Sequence, residues 1–265
     1  MTTKSYAKVN IYLKIVGTQG DYHLIDSRFM IVENLYDTIT FKKERSDLSK
    51  DLEIVGKFSC TTEQNIIYKA YRKLLQIDEI SKKIKDFFKE HSILVDKKIP
   101  EFAGLGGGSS NAASFLLLAN QELSLKLSKN RLLEISKSLG ADVPFFINGY
   151  KSAHVEGIGE IVKEFKENNL NISTITPPIK CDTPLVYKKF RETLNKNYDK
   201  IIQESKKLSK KLNTLKSEEI LHNFEPEILN DLFMPAIKLY PELLKYKKEG
   251  YFFSGSGSSF FKRIA

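Results

Sequence analysis

A run of glycines and small polar residues from Gly104 to Asn111 constrains this chain more than any other segment. It reads Gly-Leu-Gly-Gly-Gly-Ser-Ser-Asn and leads directly into Ala112 and an apolar run. Glycines let several backbone N–H groups converge on one phosphate, and the N-terminus of a following helix adds a positive partial charge. The segment therefore predicts a phosphate-binding turn at the start of a buried helix.

Two common nucleotide-binding patterns do not fit this turn. No Lys-Ser or Lys-Thr pair follows the glycines, as a Walker loop requires, and the spacing does not match Gly-x-Gly-x-x-Gly. A flexible loop followed by a capped helix remains an alternative for an isolated glycine cluster. The flanking sequence has to decide between the two interpretations.

The first strand carries polar residues that face one way. From Tyr6 to Val16 apolar and polar residues alternate, which is the period of a strand. Lys8 and Asn10 share the face opposite the apolar one, so we expect them to project together into a site.

The rest of the chain predicts a mixture of strands and helices. We expect extended segments at Asp37–Phe41, at residues 93–99 before Pro100 and at Gly250–Ile264. Helices are predicted at Asn65–Leu75, from Ser110 onward, at Lys129–Leu139 with Gly140 as its stop, at Tyr198–Leu215 and in further segments to Tyr246. Periodicity alone gives an α+β protein with two lobes.

Composition excludes several classes of protein. The chain has 265 residues and a formal charge of +9, with lysines spread along it rather than gathered into one arm. No apolar run is long enough to cross a bilayer and the N-terminus does not resemble a signal peptide, so we expect a cytoplasmic protein without membrane contacts. Cys60 and Cys181 are too few for a disulfide framework, and we interpret both as buried thiols.

Three separated motifs resemble those of one kinase family. Pro100 to Ala113 is similar to the central motif of the GHMP kinases, a family named for galacto-, homoserine, mevalonate and phosphomevalonate kinases. Ala7 to Asn10 resembles the first motif of that family, and Gly255 to Ser259 resembles its third. The order and spacing agree over nearly the whole chain.

Three further segments resemble one member of the family, which acts on a cytidine-diphosphate small molecule in non-mevalonate isoprenoid biosynthesis. They are Tyr22-His23, Gly140 to Phe146 and Glu156 to Glu160. The resemblance implies a two-domain GHMP kinase fold, with a ribosomal protein S5 domain 2-like N-terminal domain at residues 1–160. A ferredoxin-like C-terminal domain follows at residues 161–265, and the active site is expected between the two.

The resemblance implies transfer of the γ-phosphate of ATP to the C2 hydroxyl of a methylerythritol unit. Asp142 would be the base and Lys8 its electrostatic partner, although a helix cap is an alternative for Asp142. Mg²⁺ would accompany the ATP, with Ser110 as a direct or water-mediated contact. The residues expected to bind ATP are Asn65, Lys97, Pro100, Gly104, Leu105, Gly106, Gly107, Gly108, Ser109, Ser110 and Asn111.

Recognition of the cytidine substrate is expected at a separate group of residues. Tyr22 and His23 would stack on the base and hydrogen-bond its edge, and Tyr187 would form the other side of the stack. The remaining residues implied by the resemblance are Asn10, Phe29 and Thr183. For Thr183, Asn65 and Lys97, a purely structural role is an equally good explanation.

One segment departs from the family pattern. Relatives commonly have Met-Gly-Gly where this chain has Glu101-Phe102-Ala103. Because Phe102 and Ala103 adopt a positive φ only at a cost, we expect the start of the loop to differ from that of its relatives.

Two alternatives to this function stay open. Another GHMP kinase, acting on mevalonate, homoserine or a sugar, would share the phosphate loop but would not require Tyr22-His23. A basic nucleic-acid-binding module would fit the surplus of lysines, yet no aromatic and basic residues are interleaved as base stacking requires. We expect no nucleic-acid partner and a monomer or weak homodimer.

Overall fold

Strands and helices are mixed along the chain in a computed structural model, which describes residues 1–193 and 197–264. The strands are β1 (Thr2–Gln19), β2 (Tyr22–Lys42), β3 (Ile54–Gly56), β4 (Ser92–Asp96), β5 (Ser152–Gly157), β6 (Ile161–Glu164), β7 (Ile172–Ile175), β8 (Phe252–Phe253) and β9 (Phe260–Arg263). The helices are α1 (Ile66–Leu74), α2 (Asp78–Glu90), α3 (Gly107–Glu122), α4 (Lys129–Lys137), α5 (Val143–Asn148), α6 (Thr183–Thr193), α7 (Tyr198–Thr214), α8 (Ser217–Asn223), α9 (Pro226–Leu229) and α10 (Phe233–Leu239). A 3₁₀ helix covers Pro241–Tyr246.

The first of two compact units comprises Met1–Ala7, Leu35–Ile99 and Gly107–Gly149. In it the C-terminal part of β2 pairs antiparallel with β4, and β3 pairs parallel to β4. Its core contains the rings of Phe41, Phe88 and Phe115. The helix that follows the glycine loop, α3, begins at the surface, where Gly108 is exposed, and enters this core from Ser110 onward.

The second unit comprises Lys8–Asn34, Pro100–Gly106 and Tyr150–Ala265. The N-terminal part of β2 pairs antiparallel with β5, which pairs antiparallel with β6. A separate sheet has the strand order β7-β9-β8. Phe233 packs against Phe253 and Phe260 beside this sheet. Because β1 and β2 are long, each contributes residues to both units.

Most of the predicted elements are confirmed. The strand at residues 6–16 lies within β1, and the predicted helices at residues 65–75 and 198–215 match α1 and α7 within a residue. The strand predicted at residues 93–99 ends earlier, at Asp96. The helix predicted to stop at Gly140 also ends earlier, where Ser138 is the C-cap of α4. The domain boundary at residue 160 stays a prediction.

None of the helices in the two described ranges has both the length and the apolar character needed to span a membrane.

Candidate active site

The backbone of the glycine loop turns through left-handed conformations before α3 begins. Gly104 has φ 74° and Gly106 has φ 70°, values that glycine adopts at little cost. Phe102 also has a positive φ, 57°, a conformation that costs a residue with a side chain more than it costs glycine. Its ring is about half exposed, and the ammonium of Lys180 lies 5.7 Å from the ring centroid. That the start of the loop differs from that of relatives stays a prediction.

The third motif packs directly on the start of the glycine loop within the second unit. The backbone N–H groups of Ser258 and Ser259 donate to the carbonyls of Phe102 and Ala103 over 3.3 and 3.1 Å. The Ser254 hydroxyl donates to the Gly104 carbonyl over 3.2 Å. These bonds hold the loop backbone in place, which gives the backbone of the third motif and the hydroxyl of the preceding Ser254 a structural role.

Lys8 lies on β1 with its side chain buried. Its Nζ donates to Asn10 Oδ1 over 2.7 Å and lies 4.3 Å from the ring centroid of Phe29. Lys8 and Asn10 do share one face of the strand, as predicted. That face is enclosed rather than open, because Lys8 is 4% exposed and Asn10 is 2% exposed. Phe29 lies buried beneath the ammonium.

Two serines missed by the sequence analysis hold Asn10. Its Nδ2 donates to Ser27 Oγ over 3.0 Å, and its backbone N–H donates to Ser254 Oγ over 3.4 Å. Ser254 stands immediately before the third motif, and its position beside that motif could have indicated a role for it. Ser27 has no comparable signal, because it lies in an ordinary strand pattern. Whether the Asn10 side chain also contacts substrate stays a prediction.

His23 and Tyr187 lie together, as predicted for two residues of one base-binding pocket. Their ring centroids are 5.2 Å apart, and the ring of Phe190, which the sequence analysis missed, lies 5.8 Å from His23. Burial, and secondarily the charge of Arg191, lower the pKa of His23 below its usual 6.5. The imidazole is therefore neutral at physiological pH, with one nitrogen donor and one acceptor.

The Nε2 atom of His23 is buried, and within the described part of the chain it has no hydrogen-bond partner. A buried imidazole nitrogen without a partner is costly and suits a polar group supplied by a ligand. Tyr22, its neighbour, is 65% exposed and extends into solvent. The Thr183 hydroxyl lies 2.7 Å from that of Ser256 in the third motif.

Asp142 precedes α5 in the first unit. It is half-buried and occupies the N-cap position, with φ −84° and ψ −14°. Its side chain makes no capping hydrogen bond, so the interpretation as a helix cap finds no support.

A buried polar network lies beneath the first turns of α3. The carboxylate of Asp37 accepts hydrogen bonds from Lys97 Nζ, from Asn111 Nδ2 over 2.9 Å, and from the backbone N–H of Ile99 over 2.8 Å. Asn111 Nδ2 also donates to Ser5 Oγ over 2.9 Å, and Ser5 donates to Ser110 Oγ over 2.8 Å. Asn111 and Lys97 therefore have clear structural partners. Their contacts with ATP, and those of Ser110, stay predictions.

Asn65 caps α1, since its side chain accepts a hydrogen bond from the backbone N–H of Ile67. The cap is a structural role of the kind that was expected for Asn65 as an alternative to ATP binding. No group of three or more His, Cys, Asp or Glu side chains in the described ranges is placed to hold a metal ion. The interpretation of both cysteines as buried is wrong for Cys60, which is exposed, and right for Cys181.

Comparisons with known proteins agree with this geometry. Residues 65–150 match the family model for the GHMP kinases N terminal domain. A 4-diphosphocytidyl-2-C-methyl-D-erythritol kinase of Sulfurimonas denitrificans is 50% identical over 262 residues, covering 98% of this chain and 95% of that protein. A protein of the same name from Campylobacter jejuni subsp. jejuni is 42% identical over 260 residues, covering 98% of each chain.

Solved structures give the same result. A crystal structure of 4-(cytidine 5'-diphospho)-2C-methyl-D-erythritol kinase matches with a TM-score of 0.71 and 28% identity, covering 100% of this chain and 90% of that one. A mevalonate kinase matches with a TM-score of 0.65 at 14% identity, covering 100% of this chain and 91% of that one, and so shares the fold.

The fold and the glycine loop are thus those of the GHMP kinase class, and the predicted α+β two-domain class is confirmed. Within that class, near full-length identity of 42 to 50% is decisive. The chain belongs to the 4-diphosphocytidyl-2-C-methyl-D-erythritol kinase family.

Proposed function

We propose that this protein transfers the γ-phosphate of ATP to the C2 hydroxyl of 4-diphosphocytidyl-2-C-methyl-D-erythritol, giving ADP and the 2-phosphate, in isoprenoid precursor biosynthesis. The observation that carries the proposal is the 50% identity with a kinase of that name over 98% of the chain. The match extends over nearly the whole chain rather than over the phosphate loop alone. It favours this acceptor over mevalonate, homoserine or a sugar.

The glycine loop is the proposed cradle for the phosphates of ATP. The positive φ angles of Gly104 and Gly106 support this role, because they turn successive backbone N–H groups toward one region. The N-terminus of α3 at Gly107 adds its dipole. Asn65 and Lys97 are proposed to border the adenine in addition to their structural contacts.

The chemical step is assigned to Asp142 and Lys8. Asp142 accepts the proton of the C2 hydroxyl, the hydroxyl oxygen bonds to the γ-phosphorus, and the bond from that phosphorus to the bridging oxygen breaks to release ADP. Lys8 stabilises negative charge on the reacting oxygen. The position of Asp142 immediately before α5, within a segment that resembles the family, and the buried ammonium of Lys8 support these roles.

The aromatic cluster of His23, Tyr187 and Phe190 is the proposed cytosine site. A neutral imidazole with an unpaired buried nitrogen suits the hydrogen-bonding edge of a base. The ring of Tyr187 is proposed to pack on the base, and its contact with His23 supports this role. Tyr22 and Thr183 are proposed to complete the binding of the cytidine diphosphate.

Magnesium is proposed to arrive bound to ATP rather than in a site of its own. The described residues provide no acidic cluster for a dedicated cage, which fits an ion held mainly by phosphate oxygens. When bound, Mg²⁺ offsets the charge of the β- and γ-phosphates. Ser110 stays the proposed protein contact, direct or through water.

Other features of the protein belong to the same proposal. We propose a cytoplasmic monomer or weak homodimer that binds no nucleic acid. The division at residue 160 into an N-terminal ATP-binding domain and a C-terminal domain is also retained as part of the proposal. Size-exclusion chromatography with light scattering measures the oligomeric state.

The function is tested by magnesium-dependent ADP release. The protein is assayed with 4-diphosphocytidyl-2-C-methyl-D-erythritol and, separately, with mevalonate, homoserine and galactose. If ADP is released only with the cytidine compound, and this release is lost in Asp142→Asn, the result supports both the reaction and the acceptor. Release with a different acceptor alone disproves the acceptor, and no release with any acceptor disproves the kinase assignment.

A further inference from the structure

A chain of buried hydrogen bonds runs from the ammonium of Lys8 to the backbone of its own strand. Lys8 Nζ donates to Asn10 Oδ1 over 2.7 Å, and Asn10 Nδ2 donates to Ser27 Oγ over 3.0 Å. Ser27 Oγ in turn donates to the backbone carbonyl of Tyr12 over 2.5 Å. Ser27 and Tyr12 are 0% exposed, so these groups do not exchange their partners for bulk water.

The direction of every bond in this chain is fixed by chemistry. A backbone carbonyl only accepts, so the one hydroxyl hydrogen of Ser27 is committed to Tyr12. The oxygen of Ser27 is then left to accept, and the amide nitrogen of Asn10 must face it. The amide oxygen of Asn10 is thereby turned toward Lys8, whose ammonium only donates.

The reversed orientation of the Asn10 amide is disfavoured at both ends. Its oxygen would face a serine oxygen that has no hydrogen to give, and its NH₂ group would face the Lys8 ammonium. Two buried mismatches of this kind cost far more than a lost surface bond. The hydroxyl of Ser27 therefore selects one of the two amide orientations.

We propose that Ser27 is a positioning residue for the phosphoryl-transfer reaction, which fixes the Asn10 amide and through it the ammonium of Lys8. The inference rests on the proposed function, because it assigns Lys8 to the chemical step. Ser27 acts at a distance and touches no reacting atom. Its effect falls on turnover and on the KM for the cytidine substrate, because Asn10 is itself expected to contact that substrate. The KM for ATP is unaffected, because Asn10 is linked to the glycine loop through its backbone N–H and Ser254.

The test compares Ser27→Ala, which removes the hydroxyl, with Ser27→Thr, which keeps it. Ser209→Ala is the matched control, because Ser209 is a buried serine of the same unit whose hydroxyl donates to the Lys206 carbonyl in α7. We expect kcat to fall about tenfold in Ser27→Ala, the usual effect of losing one directed hydrogen bond, with the KM for ATP unchanged. Ser27→Thr and Ser209→Ala should keep the wild-type kcat.

A structural role alone gives a different result. In that case Ser27→Ala lowers the melting temperature as Ser209→Ala does and leaves kcat intact, which overturns the proposal. If Ser27→Ala does not fold, Ser27→Cys replaces it, because a thiol keeps most of the volume but hydrogen-bonds weakly. An unchanged kcat in the folded Ser27→Cys protein also overturns the proposal.

Crystal structures of the same variants test the inference without turnover. We expect the spacing between Lys8 Nζ and Asn10 Oδ1 to be kept in Ser27→Thr and lost in Ser27→Ala or Ser27→Cys. An unchanged spacing in the variants without the hydroxyl overturns the positioning role even if the enzyme is active. If the wild-type protein releases no ADP with the cytidine compound, the proposed function fails, and the crystal structures still decide whether Ser27 sets the Lys8 geometry.

Discussion

Gly257 of the third motif lies so close to Gly104 of the phosphate loop that a Cβ atom on Gly257 would stand 1.9 Å from the Gly104 nitrogen. The obstacle is backbone, which cannot rotate away as a side chain can. A Cβ on Gly104 would in turn lie 2.2 Å from the Ser254 carbonyl oxygen. The two motifs therefore require glycine at both positions because their backbones are in direct contact.

Gly257→Ala is expected to displace the start of the phosphate loop. The clash should lower the free energy of unfolding by about 1–3 kcal/mol, as overpacking does, and raise the KM for ATP. Urea denaturation and steady-state kinetics measure the two effects. Gly17→Ala is the control, since its Cβ would meet only the Leu24 side chain at 3.4 Å. Equal stability in the two variants would contradict the prediction.

Asp142→Asn should lower kcat at least about a hundredfold, the usual contribution of a positioned general base. Because Asn is nearly isosteric with Asp and Asp142 is only half-buried, the protein should stay folded. Steady-state kinetics measure kcat and differential scanning fluorimetry measures the melting temperature. The control variant is Asp78→Asn, because Asp78 is an exposed acid in the first turn of α2 in the same unit. Turnover within a few fold of wild type would remove Asp142 from the chemical step.

His23→Ala should raise the KM for the cytidine substrate and leave the KM for ATP unchanged. Burial lowers the pKa of His23 below 6.5, so the neutral ring persists until the pH falls below that value. In the wild type the cytidine KM should be constant at neutral pH and rise only in acid, and His23→Ala should lose this dependence. His222→Ala is the control, because His222 is an exposed residue of α8. A selective effect on ATP would disprove the assignment.

The same titration affects stability. Below 6.5 the unfolded chain binds a proton at His23 before the folded chain does, because the folded pKa is the lower one. The contribution of the neutral ring is therefore full above 6.5 and is lost as the pH falls toward the folded pKa. The difference in unfolding free energy between wild type and His23→Ala should therefore decrease as the pH falls from 6.5 toward the folded pKa.

Asp37→Asn should destabilise the first unit by about 3–5 kcal/mol, because it leaves the buried ammonium of Lys97 without its charged partner. The double variant Asp37→Asn with Lys97→Met should recover part of this loss. Urea denaturation measures both. Asp86→Asn, which removes an exposed pair with Lys89, should cost less than about 1 kcal/mol. If Asp37→Asn also lowered the free energy of unfolding by less than about 1 kcal/mol, this would contradict a buried ion pair between Asp37 and Lys97.

The two cysteines should differ sharply toward a thiol reagent. Cys60 is exposed and should react at once, whereas Cys181 is buried and burial raises its pKa to about 11. One thiol per chain should therefore react in the native protein and two after unfolding. Colorimetric titration gives the count, and Cys60→Ser should abolish the fast phase.

The sequence predicted those parts of the fold in which local chemistry and periodicity agree. The alternation in β1, the helical pattern from Asn65 and the glycines before α3 each carry their own signal. The positive φ of Phe102 had no such signal. It is decided by neighbouring backbone, since the Phe102 carbonyl must accept from Ser258, more than 150 positions away along the chain.

In the candidate site, too, some features follow from the sequence and others only from the tertiary structure. Sequence alone determined its family motifs and the types of side chain in them, because phosphate binding and proton transfer require particular chemical groups at fixed positions. Tertiary structure alone decided that the polar face of β1 is buried, that Asp37 joins Lys97 to Asn111, and that Ser27 orients Asn10. These contacts join residues distant in the chain, and a hydrogen bond depends on distance and direction, which no residue type specifies by itself.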